Sequence, residues 1–450
     1  MNRFAGVGRT VSISAATVAV VALTGVASGQ IAAPPPRAAM TATASGLLTQ
    51  PIADTAPNAA QLRRGQYLVA VGDCMSCHLR EGGAPLAGGL GLRTPFGVIY
   101  SSNITPDRDT GIGAWSADQF YRAMHDGIGA KGENLYPAFP YPWFRKASRE
   151  DDDAIFAYLK TVPAVRYRPP PNRLPFPLNV RFLVKEWNLL FLHAKAFEQD
   201  PNQSAEWNRG AYLVTGLAHC GGCHTPKNSL GADQSGRDFV GGKLENWVAP
   251  DLTSNGRTGL GSWSITDITE YLRTGRNARA GAGGSMADVI TYSTSLMSDQ
   301  DRRAIAVYLK SLPESSTPDA QQADAETMKR GAAIYSDACT ACHLESGVGQ
   351  PRFFPPLGRN AVVQQNDPSS VLHLILAGGR IGVSPSRPSP LSMPSFAWKL
   401  TDSETADVAT YIRNSFGNQA PPVSAGQVAD MRKALHLDTL RYTANSGDQD

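Results

Sequence analysis

The sequence predicts a mostly α-helical chain built as three small domains in tandem, with long loops. Three observations predict it. A pentapeptide of the form Cys-x-x-Cys-His occurs at Cys74-Met75-Ser76-Cys77-His78, Cys220-Gly221-Gly222-Cys223-His224 and Cys339-Thr340-Ala341-Cys342-His343, and uses all six cysteines. Each copy follows a segment of helical character that begins Arg-Gly, at Arg64, Arg209 and Arg330. Each repeat then ends in a polar-to-apolar segment of helical spacing, Asp151 to Leu159, Ser298 to Leu309 and Thr401 to Ile412, with Tyr158, Tyr308 and Tyr411 at the far ends.

In chain order, residues 1–29 read as an export signal. Arg3 and Arg9 precede an apolar or small-residue run from Val11 to Val26, and Ala27-Ser28-Gly29 forms a small-residue cleavage site. Ser12, Ser14 and Thr17 interrupt the run and argue against a spanning anchor. Residues 30–58, with Pro34-Pro35-Pro36, read as a flexible leader. The first domain is placed at 59–165, the second at 201–314 and the third at 327–420. Repeats one and two share a loop, Gly111 to Ser116 answering Gly259 to Ser264, in which Trp115 and Trp263 are expected to pack the core or a cofactor edge. The connector 166–200 is apolar from Phe176 through Trp187 to Leu192; it is expected to pack between domains, with docking onto a partner protein or membrane as the alternative. Residues 315–326 form a plain linker and 421–450 a polar tail.

Lys plus Arg is 42 against 39 for Asp plus Glu, a formal charge of +3, which excludes a nucleic-acid partner on electrostatic grounds. No stretch after the signal has the length of uninterrupted apolar sequence that crosses a bilayer, so any membrane contact is expected to be peripheral.

Two thiols one helical turn apart suit thioether bonds to the two vinyl groups of a heme, and the next residue offers imidazole to the iron. Chance produces one such motif in roughly one chain in a thousand of this composition. A redox dithiol would want one motif on a βαβ unit and zinc would want pooled cysteine pairs, and neither explains a histidine after every pair. The prediction is three covalent hemes c, with Cys74, Cys77, Cys220, Cys223, Cys339 and Cys342 as thioether positions and His78, His224 and His343 as axial ligands.

For the sixth ligand, Met286 lies 66 residues past Cys220 and Met393 lies 54 past Cys339, each just before the last helix of its repeat; Met297 is the fallback in repeat two. The corresponding residue of repeat one is Phe139, 65 past Cys74, which cannot bind iron. Met124 is the nearest substitute, with a core role as its equal alternative; an unusual or open sixth position is the other outcome. His125 beside it is expected to be exposed or hydrogen-bonded.

These motifs, with Asn103-Ile104-Thr105-Pro106-Asp107, Leu135 to Tyr141, His219 to Pro226, Gly284 to Ser293 and Phe354-Pro355-Pro356-Leu357, resemble the triheme cytochrome c subunits of periplasmic, membrane-associated bacterial dehydrogenases acting on alcohols, gluconate, sorbitol or fructose. The resemblance covers residues 60 to 420. It implies three class I-like cytochrome c domains and an electron-transfer subunit, not an enzyme by itself. Such a subunit takes electrons from a separate catalytic subunit (molybdenum hydroxylase, quinoprotein or flavoprotein) and passes them to ubiquinone or a terminal oxidase, peripherally attached to the cytoplasmic membrane. Phe139, with Leu174-Pro175-Phe176-Pro177 leading into Trp187 to Phe191, looks more like the cytochrome subunits of molybdenum hydroxylases that oxidise aldehydes or N-heterocycles. The competing class is a stand-alone peroxidase or small-molecule reductase using an open iron in repeat one, distinguished by carbon monoxide binding or peroxide turnover without a partner.

Overall fold

A computed structural model describes residues 46–437 except 194, 317, 318 and 320. The export signal, most of the leader and the end of the tail lie outside the described residues. Each repeat runs in the same order. A leading helix (Ala59–Val71, Ala205–Tyr212, Ala325–Ala338) delivers the chain to a short motif helix (Cys74–His78, Gly221–His224, Thr340–His343). A middle helix (Ala117–Asp126, Ile265–Thr274, Ser369–Ala377) and a closing helix (Arg149–Leu159, Asp299–Lys310, Asp402–Asn414) complete it. Each repeat also holds one small antiparallel hairpin, registered Gly91 to Tyr100, Gly242 to Ala249 and Gly379 to Met393.

Local sequence sets the helix ends. Ser116 and Ser264, which follow the two loop tryptophans, form capping boxes with Gln119 and Asp267, so each hydroxyl and each reciprocal side chain satisfies a free N–H of the first turn. Ser148, Ser298 and Thr401 cap the closing helices in the same way, through their hydroxyls. Trp115 and Trp263 are partly buried against the core, as their packing reading requires.

The leading and closing helices of each repeat cross with their backbones nearly touching, at the glycine of Arg-Gly. A methyl group on Gly65, Gly210 or Gly331 would lie 1.9, 2.0 or 2.3 Å from the carbonyl oxygen of Ala154, Ala304 or Asp407. No larger residue fits there without separating the helices. The contact is what aims the end of the leading helix, and therefore the motif, at one place.

Repeats one and two share a continuous apolar core that includes Leu68, Val69, Ile155, Leu213, Val214 and Ile305, whereas repeat three has its own around Tyr335, Leu372 and Val408. The first pair is also locked by a reciprocal polar exchange. Asp151 accepts from Arg64 of its own repeat (2.7 Å) and from Tyr212 of repeat two (2.5 Å). Asp301 accepts from its own Arg209 (2.8 Å) and from Tyr67 of repeat one (2.6 Å). The backbone amides of Ser148 and Ser298 donate to the same two phenols. Repeat three keeps the arginine, paired with Asp407, but has Ala333 where the others have tyrosine. It meets repeat two through Lys243–Asp367 and Arg352–Glu270 ion pairs and through Trp247 stacked on His373, ring centroids 3.9 Å apart.

Three segments depart from the sequence reading. The end of the leader is docked: Leu48 is buried, and Tyr158 donates to the carbonyl of Leu47. The tail contains a helix, Ala425–Ala434, whose Val428 and Met431 complete the core of repeat three while Arg432 pairs with Asp402. A polar composition hid this because a few spaced apolar side chains, Val423, Val428 and Met431 with Leu435 and Leu437 beside them, carry the packing. The connector, expected to pack between domains, is anchored by Val184, by Trp187 donating to the carbonyl of Leu230, and by Asn188 accepting from Tyr141. Most of its large apolar side chains are exposed instead.

Gly65→Ala should destabilise the protein by about 1–3 kcal/mol through overpacking, while Gly256→Ala, where an added methyl meets nothing within 4 Å, should stay within about 0.5 kcal/mol in denaturant unfolding. Burial pushes the Asp301 carboxyl up, but hydrogen bonds from Arg209 and Tyr67 outweigh it and hold the group below the ordinary carboxylate range. Its stabilising contribution is therefore complete above that range and is lost on acidification. Tyr67→Phe should remove about 1–2 kcal/mol at neutral pH, and its deficit should shrink as the pH falls through the folded-state value.

Candidate heme-attachment sites

The three motifs are reached by different routes. From the arginine of Arg-Gly, the first cysteine follows after ten residues in repeat one, eleven in repeat two and nine in repeat three. In repeat one Gly72 and Asp73 intervene, with Asp73 in the left-handed region at φ 53°. The additional residue of repeat two is absorbed as a π turn, Leu213–Leu217, in which Gly216 takes a non-helical conformation. In repeat three the leading helix runs to Ala338, directly against Cys339. One insertion and one deletion are thus taken up without moving the glycine crossing.

Each motif histidine has its Nδ1 against a backbone carbonyl. The partners are Ser102 for His78 (2.6 Å), Pro250 for His224 (2.7 Å) and Pro355 for His343 (3.2 Å). A carbonyl only accepts, so the proton sits on Nδ1 and Nε2 keeps its lone pair, the tautomer an iron requires. Burial lowers all three histidines, opposed by those carbonyl bonds, and so favours the neutral ring. These carbonyls were missed in reading the sequence. The signal was present: Ser102 and Pro250 immediately precede Asn103-Ile104-Thr105 and Asp251-Leu252-Thr253, and Pro355 lies within Phe354-Pro355-Pro356-Leu357.

The thiols are unpaired, and burial pushes Cys74, Cys77 and Cys220 up to about 12 and Cys339 to about 11. Among the described residues no three His, Cys, Asp or Glu side chains gather as a metal cage, so the cysteine pairs do not pool into a tetrahedral zinc site. The donor set fits a covalent heme c: two thiols a turn apart, then an imidazole with a fixed tautomer. Cys342 is exposed where the other five cysteines are partly buried, which makes the third site the most open.

Sites one and two are neighbours. Helix Ser285–Tyr292 of repeat two packs on the motif helix of repeat one, and helix Tyr141–Phe144 of repeat one packs on the π turn leading to Cys220. The Trp143 ring lies over Gly221, where any side chain would collide with it, and Phe144 meets His219 edge-on at 5.0 Å. Met286 is in the first turn of helix Ser285–Tyr292, partly buried, and Met393 is in the hairpin strand Ser392–Met393, partly buried against the core of repeat three. Met297 and Met124 are buried in the shared core, the latter with Phe120 and Phe156. Phe139 sits among Tyr141 and Phe144. His125 is hydrogen-bonded to Asp152 at 2.9 Å.

A helical repeat whose leading helix delivers a Cys-x-x-Cys-His motif with an oriented histidine defines a c-type cytochrome, an electron-transfer protein. The cytochrome c family matches residues 208–313 and 328–416. The gluconate 2-dehydrogenase cytochrome c subunit of Pantoea cypripedii is 39% identical over 404 residues, covering 85% of this chain and 92% of that protein. The cytochrome c subunit of the quinone alcohol dehydrogenase of Gluconobacter oxydans is 38% identical over 83% of this chain and 82% of its own. A nicotinate dehydrogenase subunit of Pseudomonas putida is 40% identical over 81% of this chain, which spans 31% of that longer protein. The chain belongs to the family of cytochrome c subunits of bacterial dehydrogenases.

Asp73, beside the first thioether position, is a further group that the sequence reading passed over. Burial pushes its carboxyl up to about 7; a hydrogen bond from Ser76 (2.5 Å) opposes this and the charge of Asp288 adds to it. The neutral form is favoured, so its contribution to stability is complete below the ordinary carboxylate range and is lost as the pH rises toward 7. Asp73→Asn should flatten the decline in melting temperature between about pH 4 and 7.

Proposed function

We propose that the chain is a three-heme electron-transfer subunit of a periplasmic dehydrogenase complex. It would take electrons from a catalytic partner and deliver them to ubiquinone or a terminal oxidase while peripherally attached to the cytoplasmic membrane. The observation that carries the reading is the threefold recurrence of one site, each with two thiols on a short helix and a histidine held by a carbonyl at Nδ1. When bound, heme c supplies a one-electron iron couple. The protein's part is to tether the ring through Cys74 and Cys77, Cys220 and Cys223, and Cys339 and Cys342, and to present Nε2 of His78, His224 and His343. The reading assigns the thioethers of Met286 and Met393 as sixth ligands, soft donors that raise the potential relative to a second histidine. In repeat one the sulfur available to this role is Met124.

The relatives' names attach them to gluconate, alcohol and nicotinate oxidation. A catalytic dehydrogenase subunit is accordingly the donor we propose. Its class, molybdenum hydroxylase, quinoprotein or flavoprotein, follows the relative; nicotinate is an N-heterocycle, which supports the molybdenum hydroxylase assignment drawn from Phe139 and the Leu174 to Phe191 segment. No helix among the described residues is long and apolar enough to cross a membrane, which supports peripheral attachment.

A pyridine hemochrome assay with intact mass should show three hemes per chain; fewer would sink the reading. Met286→Ala and Met393→Ala should each reduce the methionine-to-iron absorption of the oxidised protein and lower one reduction potential. Met124→Ala should do the same only if its sulfur coordinates.

A further inference from the structure

The connector between repeats one and two presents a ridge of exposed apolar side chains. Phe176 is 82% exposed, Leu189 73%, Phe182 61% and Leu190 59%, with Leu178, Val180 and Leu183 less so. Half of the large apolar residues exposed on the described chain fall in this one stretch of sequence. Scattered apolar residues on a surface need no explanation, but a contiguous set does.

The helix Leu183–Phe191 is built for this orientation. Val184, Trp187 and Asn188 turn inward, tied to the body by burial and by the bonds to Leu230 and Tyr141. Phe182, Leu183, Leu189 and Leu190 then lie on the outward side, which Glu186 shares. At nine residues the helix is far too short to span a bilayer. Its inner face is held, so the apolar residues cannot turn away from water.

Charge identifies the occupant. Between residues 166 and 195 there are six basic residues, Arg166, Arg168, Arg173, Arg181, Lys185 and Lys195, all exposed, against the single acidic Glu186. That segment carries a net +5, more than the +3 of the whole chain, so the rest of the molecule is net negative. Exposed Phe and Leu flanked by cations, on a helix too short to span, are the features of a segment that sits at a lipid interface and is drawn to anionic headgroups. A protein partner would be expected to meet these cations with carboxylates and to seat its anchors in a pocket.

We propose that the 176–190 ridge is the membrane-docking surface of this cytochrome, seated in the headgroup region of an anionic leaflet with Lys185 and Lys195 at the lipid phosphates. The proposal rests on the peripheral attachment given under the proposed function and assigns it to named residues.

The test is partitioning of the purified heme-loaded protein onto vesicles of phosphatidylcholine alone and of phosphatidylcholine with phosphatidylglycerol. The wild type should bind the anionic vesicles and be released by salt. Phe176→Ser with Leu189→Ser and Leu190→Ser should weaken binding roughly tenfold or more, and Lys185→Glu with Lys195→Glu should weaken it on anionic vesicles only. Trp398→Ser, on an exposed apolar residue of repeat three, should leave binding unchanged. Heme content and melting temperature should match the wild type in every variant, because these side chains are exposed. If all variants bind as the wild type does, the ridge is not the docking surface and peripheral attachment stands on another. If the wild type binds neither vesicle, peripheral attachment itself falls with the proposal. If sedimentation shows a wild-type dimer that the serine variant loses, with vesicle binding unaltered, a second copy of the chain occupies the ridge and the lipid assignment is overturned.

Discussion

Every site in this molecule depends on the crossing of two helices at a glycine. Where Gly65, Gly210 and Gly331 lie against the carbonyls of the closing helices, the absence of a side chain lets the backbones touch. Because the motif begins within a few residues of the leading helix's end, the direction of that helix decides where the cysteines and histidine arrive. The second constraint, the carbonyl on each Nδ1, comes from a loop that returns to the motif from the other side. Between them the two contacts fix position and tautomer, which is what a covalently held iron needs from its protein.

The three repeats are not equal partners. Tyr67 and Tyr212 each reach across to the carboxylate that the other repeat's arginine already holds, so repeats one and two exchange equivalent bonds about a shared core. With Ala333 in place of that tyrosine, repeat three joins repeat two through ion pairs, the Trp247–His373 stack and hydrogen bonds of Gln364, Gln365 and Ser370 with the backbone of Arg257, Thr258 and Val248. Exposed ion pairs are weak and salt-sensitive. Repeats one and two are therefore coupled through one core, while repeat three keeps its own core and the exposed Cys342.

The chain's polar composition also conceals how its ends are used. Leu48 on one side and Val423, Val428 and Met431 on the other dock segments that average out as leader and tail. Conversely, the connector looks like core and is mostly surface. Composition reports how much apolar side chain a segment has and not which side of it faces the protein.

The sequence by itself determined where two thiols and an imidazole recur, because that pattern is a matter of residue types at fixed local spacing. It also determined the number of repeats and the leading and closing helices, whereas Met286 stands in the first turn of a helix and Met393 in a hairpin strand. Even the π turn of repeat two was present as a one-residue difference in spacing. Only the tertiary structure decided that Tyr67 meets Asp301, 234 residues away, that Ser102, Pro250 and Pro355 hold the histidines, and that the connector turns its phenylalanines and leucines outward. Those outcomes depend on pairings between distant segments, and helical periodicity carries no record of which distant segment will arrive.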